Sequence, residues 1–262
     1  MKRLIYILIG VVCLLTSCET NIAEKDRLVY VQPPQVGRKV LIEDFTGQNC
    51  VNCPRANDVI HQLQEQYGAD TVIAVGIHSG PFGFRGNDTY PVGLATDLGD
   101  TYYNHWGIEA QPQGMVNRLG VFNDPEWPAV VRYELERQAP LDIEIKNVYS
   151  EADNSVDVTV TSVGTSGAVD GKLQLWIVED SIVAMQKDGR KTIPDYLHQH
   201  VFRDAVNGNW GTDFSIDEGG VKTATFHYTL DPKWVVKNLS IVAFVYNSAG
   251  VQQVEIKKVV NQ

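Results

Sequence analysis

Two cysteines separated by two residues, Cys50 and Cys53, stand in the stretch Gln48-Asn49-Cys50-Val51-Asn52-Cys53-Pro54. Such a pair either exchanges disulfides or begins a metal knuckle. A thiol attacks as its thiolate, and an ordinary cysteine with a pKa of about 8.5 is mostly protonated at neutral pH. Placing Cys50 at the amino end of a helix stabilises the thiolate through unpaired backbone N–H groups and the helix dipole. Cys53, one turn further in, is then the resolving thiol, which attacks Cys50 while Cys50 is bonded to a substrate sulfur. Structural zinc requires four ligands at recognisable spacing, and the sequence has no second Cys-x-x-Cys. His61, His78 and His105 are scattered, and His198 with His200 reads as an exposed polar pair on a strand. No metal is therefore expected, and no cofactor beyond the redox-active disulfide itself. Hydrolase motifs of the Gly-x-Ser-x-Gly and His-Glu-x-x-His types are absent, as is a phosphate-binding glycine loop.

The remaining cysteines are accounted for at the start of the chain. Met1-Lys2-Arg3 and the apolar run Leu4 to Leu15 read as a secretory leader, too short for a membrane span of about 20 residues. Leu15-Thr16-Ser17-Cys18 resembles a bacterial lipobox, which predicts cleavage before Cys18 and a lipid on its sulfur. Ordinary signal cleavage nearby is the alternative, and it would leave Cys18 as an exposed thiol in an oxidising compartment. With Cys13 removed in the leader and Cys18 lipidated, Cys50 and Cys53 are the thiols left of the four. A bridge across so short a loop removes little chain entropy, so stabilisation is a poor reason for it.

The elements that must position the pair follow from periodicity. Lys39 to Gly47 reads as a buried strand ending in a loop. Ala56, Val59, Ile60, Leu63 and Tyr67 recur at helical steps, and Gly68 closes that run. Thr71 to His78 is a second strand, so the unit is a right-handed parallel strand-helix-strand with the pair where the helix begins. A glycine-rich loop and a helix around Gly93 to His105 follow, then a strand-like run near Met115 to Arg118 and a helix opened by Asp124-Pro125 and running through Gln138. Beyond Pro140 the pattern alternates with period two, as in Leu141, Ile143, Ile145 and again in Val156, Val158, Val160, which predicts an antiparallel sandwich. The stretch from Ser181 to Gly220 interrupts this alternation and is either functional or holds structure of its own.

Asp44-Phe45, followed after four residues by Cys50-Val51-Asn52-Cys53-Pro54, resembles the active-site strand and loop of the thioredoxin superfamily. The resemblance implies that Asp44 is buried and moves the proton of Cys53. It also implies that Pro112 is a cis-proline beside the disulfide, with the backbone of Gln111 pairing to an extended substrate. Departures are the Val51-Asn52 dipeptide, no aromatic before Cys50, Ala74 or Val75 where a lysine usually faces the acid, and no clear last strand before Asp124. More narrowly, the lipobox, Asn49 to Pro54, Val116-Asn117-Arg118, His200 to Arg203 and Asn207-Gly208-Asn209-Trp210-Gly211 together resemble the outer-membrane protein 28-related lipoproteins of Bacteroidetes. This likeness spans nearly the whole chain and implies an α/β thioredoxin-like domain followed by an all-β, immunoglobulin-like sandwich.

The expected organisation is a lipoprotein signal peptide over 1–17, a tether over 18–37, a thioredoxin-like domain over 38–139 and a β-sandwich over 140–262. The formal charge of -10 without any basic run excludes nucleic acid as a natural partner. Expected partners are the membrane, through the lipid on Cys18, and protein thiols or disulfides; the expected location is the cell envelope, anchored by lipid to the outer membrane. Two functions stay open: an envelope thiol-disulfide oxidoreductase using Cys50, Cys53 and Asp44, and a non-catalytic binding or structural lipoprotein with a static disulfide.

Overall fold

The computed structural model describes residues 36–260; the leader, Cys18 and nearly all of the tether lie outside them. The described residues form one compact unit. The chain opens with β1 (Val36–Gly37), β2 (Val40–Thr46), α1 (Cys53–Tyr67) and β3 (Val72–His78). Next come α2 (Asp97–His105), β4 (Gln113–Val116), β5 (Val121–Asn123), α3 (Trp127–Leu135) and β6 (Gln138–Ala139). Ten further strands complete it: β7 (Leu141–Ser150), β8 (Ser155–Gly164), β9 (Val169–Glu179), β10 (Ile182–Asp188), β11 (Lys191–His198), β12 (Val201–Ala205), β13 (Thr212–Ile216), β14 (Val221–Thr229), β15 (Leu239–Asn247) and β16 (Gly250–Lys258).

The architecture corrects the expected fold class. A nine-stranded mixed sheet runs β16-β15-β9-β12-β3-β2-β4-β5, with β13 added on β9. It joins strands from the first and last parts of the chain, so the strand-helix-strand unit is the continuation of a mostly β body and no self-contained α/β thioredoxin-like domain forms. The seam is the parallel pair of β3 with β12, where Val201 stands beside Gly76 and Gly76 N–H donates to the His200 carbonyl at 2.8 Å. The second sheet, β14-β8-β7, buries Ile143, Val158 and Val160 against Leu175, Ile241 and Ala243 of the large one.

Continuous apolar runs explain the middle of the large sheet. All seven residues of β2 are buried, because both of its faces are covered. Ile42 and Ala74 pack under Ile60 of α1 and Trp127 of α3. On the opposite face Leu41, Ile73 and Phe45 meet Tyr102 of α2 and Trp176, Phe202 and Phe244 from the later strands. Smaller differences from the periodicity are local. The helix expected from Gly93 begins at Asp97, after the Thr96 cap, whose hydroxyl accepts from Gly99 N–H. A short strand, β5, does precede Asp124, and the helix after it starts as a 3-10 turn capped by Asn123. The stretch from Ser181 to Gly220 holds β10, β11, β12 and β13.

A buried ion pair among the early strands sets its guanidinium against aromatic rings of the late ones. Arg118 and Glu43 meet at 2.9 Å with side chains 2% and 1% exposed. The guanidinium lies 4.2 Å from the Tyr246 ring centre, 4.9 Å from Phe244 and 5.0 Å from Trp106. Burial alone would lower the Arg118 pKa, and Glu43 more than reverses this, so the guanidinium stays charged. The preceding Asn117 has a φ of 47°, a left-handed backbone that its hydrogen bonds to Leu41, Glu134 and Val251 hold in place. Removing one partner strands a buried charge. Arg118→Met is expected to lower unfolding free energy by about 3–5 kcal/mol in urea titration, with Glu43→Met/Arg118→Met recovering much of the loss.

Candidate functional site

Cys50 and Cys53 form a disulfide with a Cα–Cα distance of 5.4 Å. Cys53 is the first residue of α1, and Pro54 occupies the next position, where its missing N–H costs nothing. The two cysteines are only 2% and 3% exposed, while Val51 between them is 40% exposed. The sulfurs are thus covered even though the tip of their own loop reaches solvent.

Two segments make the cover. The loop after β3 approaches so closely that a Cβ on Gly47 would fall 2.2 Å from the Phe82 carbonyl, and Asn49 N–H donates to that same carbonyl at 3.0 Å. The β10–β11 hairpin closes the other side: Lys187 N–H donates to the Gln48 carbonyl at 2.9 Å, and Gly189 N–H to Val51 at 3.0 Å. The Gln186 amide adds a bond to the Cys50 carbonyl at 2.9 Å. Fully buried Gln48 ties both covers together, donating to Val92 and Met185 carbonyls and accepting from Leu94 N–H at 2.8 Å. Sequence reasoning assigned no role to Gln48 or Gln186. Gln48 sits directly in the cysteine stretch and could have been noticed, whereas Gln186 acts through a tertiary contact with no local signal.

Beneath the disulfide lies a polar cavity of about 30 Å³ lined by Asp44, Cys53, His78, Tyr196, His198 and His200, among others. Asp44 is 4% exposed, and its Oδ1 has no hydrogen-bond partner among the described residues. Burial first, and then the nearby Asp124, push its pKa up to about 8. Asp124 itself is held by Arg55 at 2.9 Å. At neutral pH Asp44 is therefore mostly a neutral acid, able to give a proton to a departing Cys53 thiolate.

The Gln111–Pro112 peptide is cis. Gln111 is buried, and its amide donates to the carbonyls of Thr46 at 2.6 Å and Ser79 at 3.0 Å, which ties this segment to the ends of β2 and β3. The two histidines expected as an exposed pair are not one. His198 is 4% exposed and meets His78 with ring centres 5.3 Å apart. His200 is half-buried at a φ of 55° and pairs with Asp180 at 3.2 Å. No group of three or more His, Cys, Asp or Glu suited to a metal ion occurs among the described residues.

The raised Asp44 pKa fixes a sign. Between about 4, the unfolded value of an aspartate, and about 8 the native state holds one more proton than the unfolded one. Stability should therefore fall as pH rises through that window, by about 1.4 kcal/mol per unit from this group. Asp44→Asn is expected to flatten that contribution and to be more stable than the native protein at pH 8, as read by urea unfolding across pH 5–8.

A family model described as "Outer membrane protein Omp28" matches residues 99–262. That stretch begins after the disulfide and Asp44, so the chemistry at this site rests on its own geometry. HBP35 of Porphyromonas gingivalis is similar in fold, at 17% identity over 85% of this chain and 76% of its own, with a TM-score of 0.67. Protein AGR_C_4864 from Agrobacterium tumefaciens aligns over 87% of this chain and 98% of its own at 15% identity and a TM-score of 0.53. A domain of the outer membrane lipoprotein Omp28 from Porphyromonas gingivalis shares 27% identity over 47% of this chain and 91% of its own, with a TM-score of 0.36. Comparison with curated proteins gives no match.

Proposed function

The chain belongs to the Omp28 family of outer membrane proteins, and from that premise we propose that it is a lipid-tethered envelope protein whose Cys50–Cys53 pair exchanges disulfides with protein thiols. Its location is the outer membrane of the cell envelope, lipid-anchored. The tether is the lipid on Cys18, which with two or three acyl chains holds stably to a bilayer. The observation that carries the exchange reading is Asp44, a buried, unpaired carboxyl sharing a cavity with Cys53. A carboxyl in that position is costly to the fold and has no structural partner that explains it.

In the step this supports, a substrate thiolate attacks the Cys50 sulfur. A new intermolecular S–S bond forms, the Cys50–Cys53 bond breaks, and Cys53 leaves as a thiolate that takes the proton of Asp44. A second thiolate of the same substrate then attacks the mixed disulfide and releases Cys50. The substrate is oxidised to a disulfide and the Cys50–Cys53 pair is reduced to two thiols; the reverse sequence oxidises the pair. The cis Gln111–Pro112 segment is the proposed docking edge for extended substrate backbone.

A second reading has its own observation. Cysteines that are 2% and 3% exposed under a hydrogen-bonded hairpin are those of a static bridge, in a protein that serves by binding. Exchange therefore requires displacement of the β10–β11 hairpin. Equilibration with glutathione buffers, combined with an insulin-reduction assay, separates the readings. The exchange reading predicts a potential between about -120 and -270 mV with turnover, and mixed disulfides trapped by Cys53→Ala. A potential below about -300 mV without turnover would leave a structural disulfide.

A further inference from the structure

Four buried polar atoms without a hydrogen-bond partner among the described residues belong to side chains that line the same cavity: Asp44 Oδ1, His78 Nδ1, His198 Nε2 and His200 Nε2. Orphaned buried groups are rare, and each ordinarily costs the fold a desolvation penalty. Four around about 30 Å³ of polar space are accounted for together if that space holds water, since a site of this size takes about two molecules with two to four polar partners each. Asp44 and Cys53 stand on one wall, His78 comes from the end of β3, and His198 and His200 come from the end of β11 and the turn after it. The site thus lies between the disulfide and the seam of β3 with β12.

Resting on the exchange reading above, we infer that His198 and His78 are positioning residues that hold a water chain connecting Asp44 to solvent at His200, so that the proton Asp44 gives to Cys53 is replaced from outside. When Cys53 leaves as a thiolate it takes the Asp44 proton, and the carboxylate left behind draws one from the adjacent water. The next water makes good that loss, and a hydronium in the bulk closes the balance at the His200 end. No oxidant or reductant beyond the substrate thiol is involved.

The surroundings keep both inner rings neutral. His78 faces His198 and Arg203, and burial together with those neighbours lowers its pKa well below the usual value. Burial brings the His198 pKa down to about 4, against the hydrogen bonds its ring donates to the backbone of Met185 and Ala184. Arg203 is committed to Glu179 at 2.9 Å. At the outer end His200 is oriented by Asp180 and lies 6.5 Å, ring centre to ring centre, from His61. Tyr196, beside His198, is anchored to Asn57 at 3.1 Å. Neutral imidazoles hold water by hydrogen bonds without trapping the proton, which is what a relay needs.

The test is stopped-flow reduction of the folded, delipidated chain by dithiothreitol across pH 6–9. His198→Leu is expected to slow reduction about ten-fold and shift the pH profile, His198→Gln to recover most of the rate, and Asp44→Asn to be slower than either. A His198→Leu rate and profile equal to the native protein's, with Asp44→Asn still slow, would overturn the relay and leave the exchange reading standing. A native disulfide that resists reduction until the chain unfolds would overturn the exchange reading and the relay with it. Because His198→Leu could fail to fold, the native protein supplies a second readout in mixtures of H₂O and D₂O. A curved proton inventory is expected from a chain of moving protons, and a linear one would contradict it.

Discussion

The parallel seam between β3 and β12 is the constraint on which the rest of the site depends. Without it, β3 would end the sheet with a row of unpaired backbone groups. With it, Val201 is set beside Gly76, and the residues just before β12 are delivered to the carboxyl end of β3. That is why His198 and His200, far from Asp44 in sequence, share a cavity with it. The same seam roots the β10–β11 hairpin, whose free end reaches back over the cysteine loop to bond the carbonyls of Gln48 and Val51. On the far side of β2, Arg118, paired with Glu43, packs its guanidinium on Phe244 and Tyr246 of the late strands. The cavity and the placing of its cover therefore depend on the continuity of the large sheet.

Two facts about the disulfide pull in different directions, and their magnitudes decide how to read them. Its burial and its backbone clamp belong to a static bridge. Yet a bridge closing so short a loop contributes little stability through chain entropy, and it has no use for an adjacent neutral carboxyl with an unpaired oxygen. Asp44 in its deprotonated form works against folding over a span of several pH units. Such a group on the cavity that Cys53 lines, where a leucine would be cheaper, is what supports the proposed exchange. Under the proposed exchange the clamp would set when the sulfurs are reached, because local opening of a hairpin takes less free energy than unfolding the body.

The parts of the molecule set by short-range pattern were legible in the sequence. The apolar runs of β2 and β3, the helical steps from Ala56 to Tyr67 and the alternation beyond Pro140 each correspond to an observed element. The error lay in assembly. A change of period at Pro140 looks like the end of an α/β fold, but whether β3 remains an edge depends on β12, a five-residue strand inside a stretch that shows no periodicity. Pairing between such distant segments leaves no local trace. The site divides in the same way: Cys50, Cys53 and Asp44 announce themselves by type and spacing, and His78 is set near them by the β2–β3 pairing, whereas His198 and Gln186 become neighbours of the disulfide only through the distant pairing.

The proposed reactivity of the disulfide depends on local displacement of the β10–β11 hairpin and not on loss of the whole fold. It is tested most directly by the rate of disulfide reduction at a fixed thiol concentration, followed through urea concentrations below the unfolding transition. Opening one hairpin exposes little surface, so the rate is predicted to stay nearly flat until the transition begins. A rate that climbs from the lowest urea with the full slope of global unfolding would show that the sulfurs are reached only when the body comes apart, and would contradict the account.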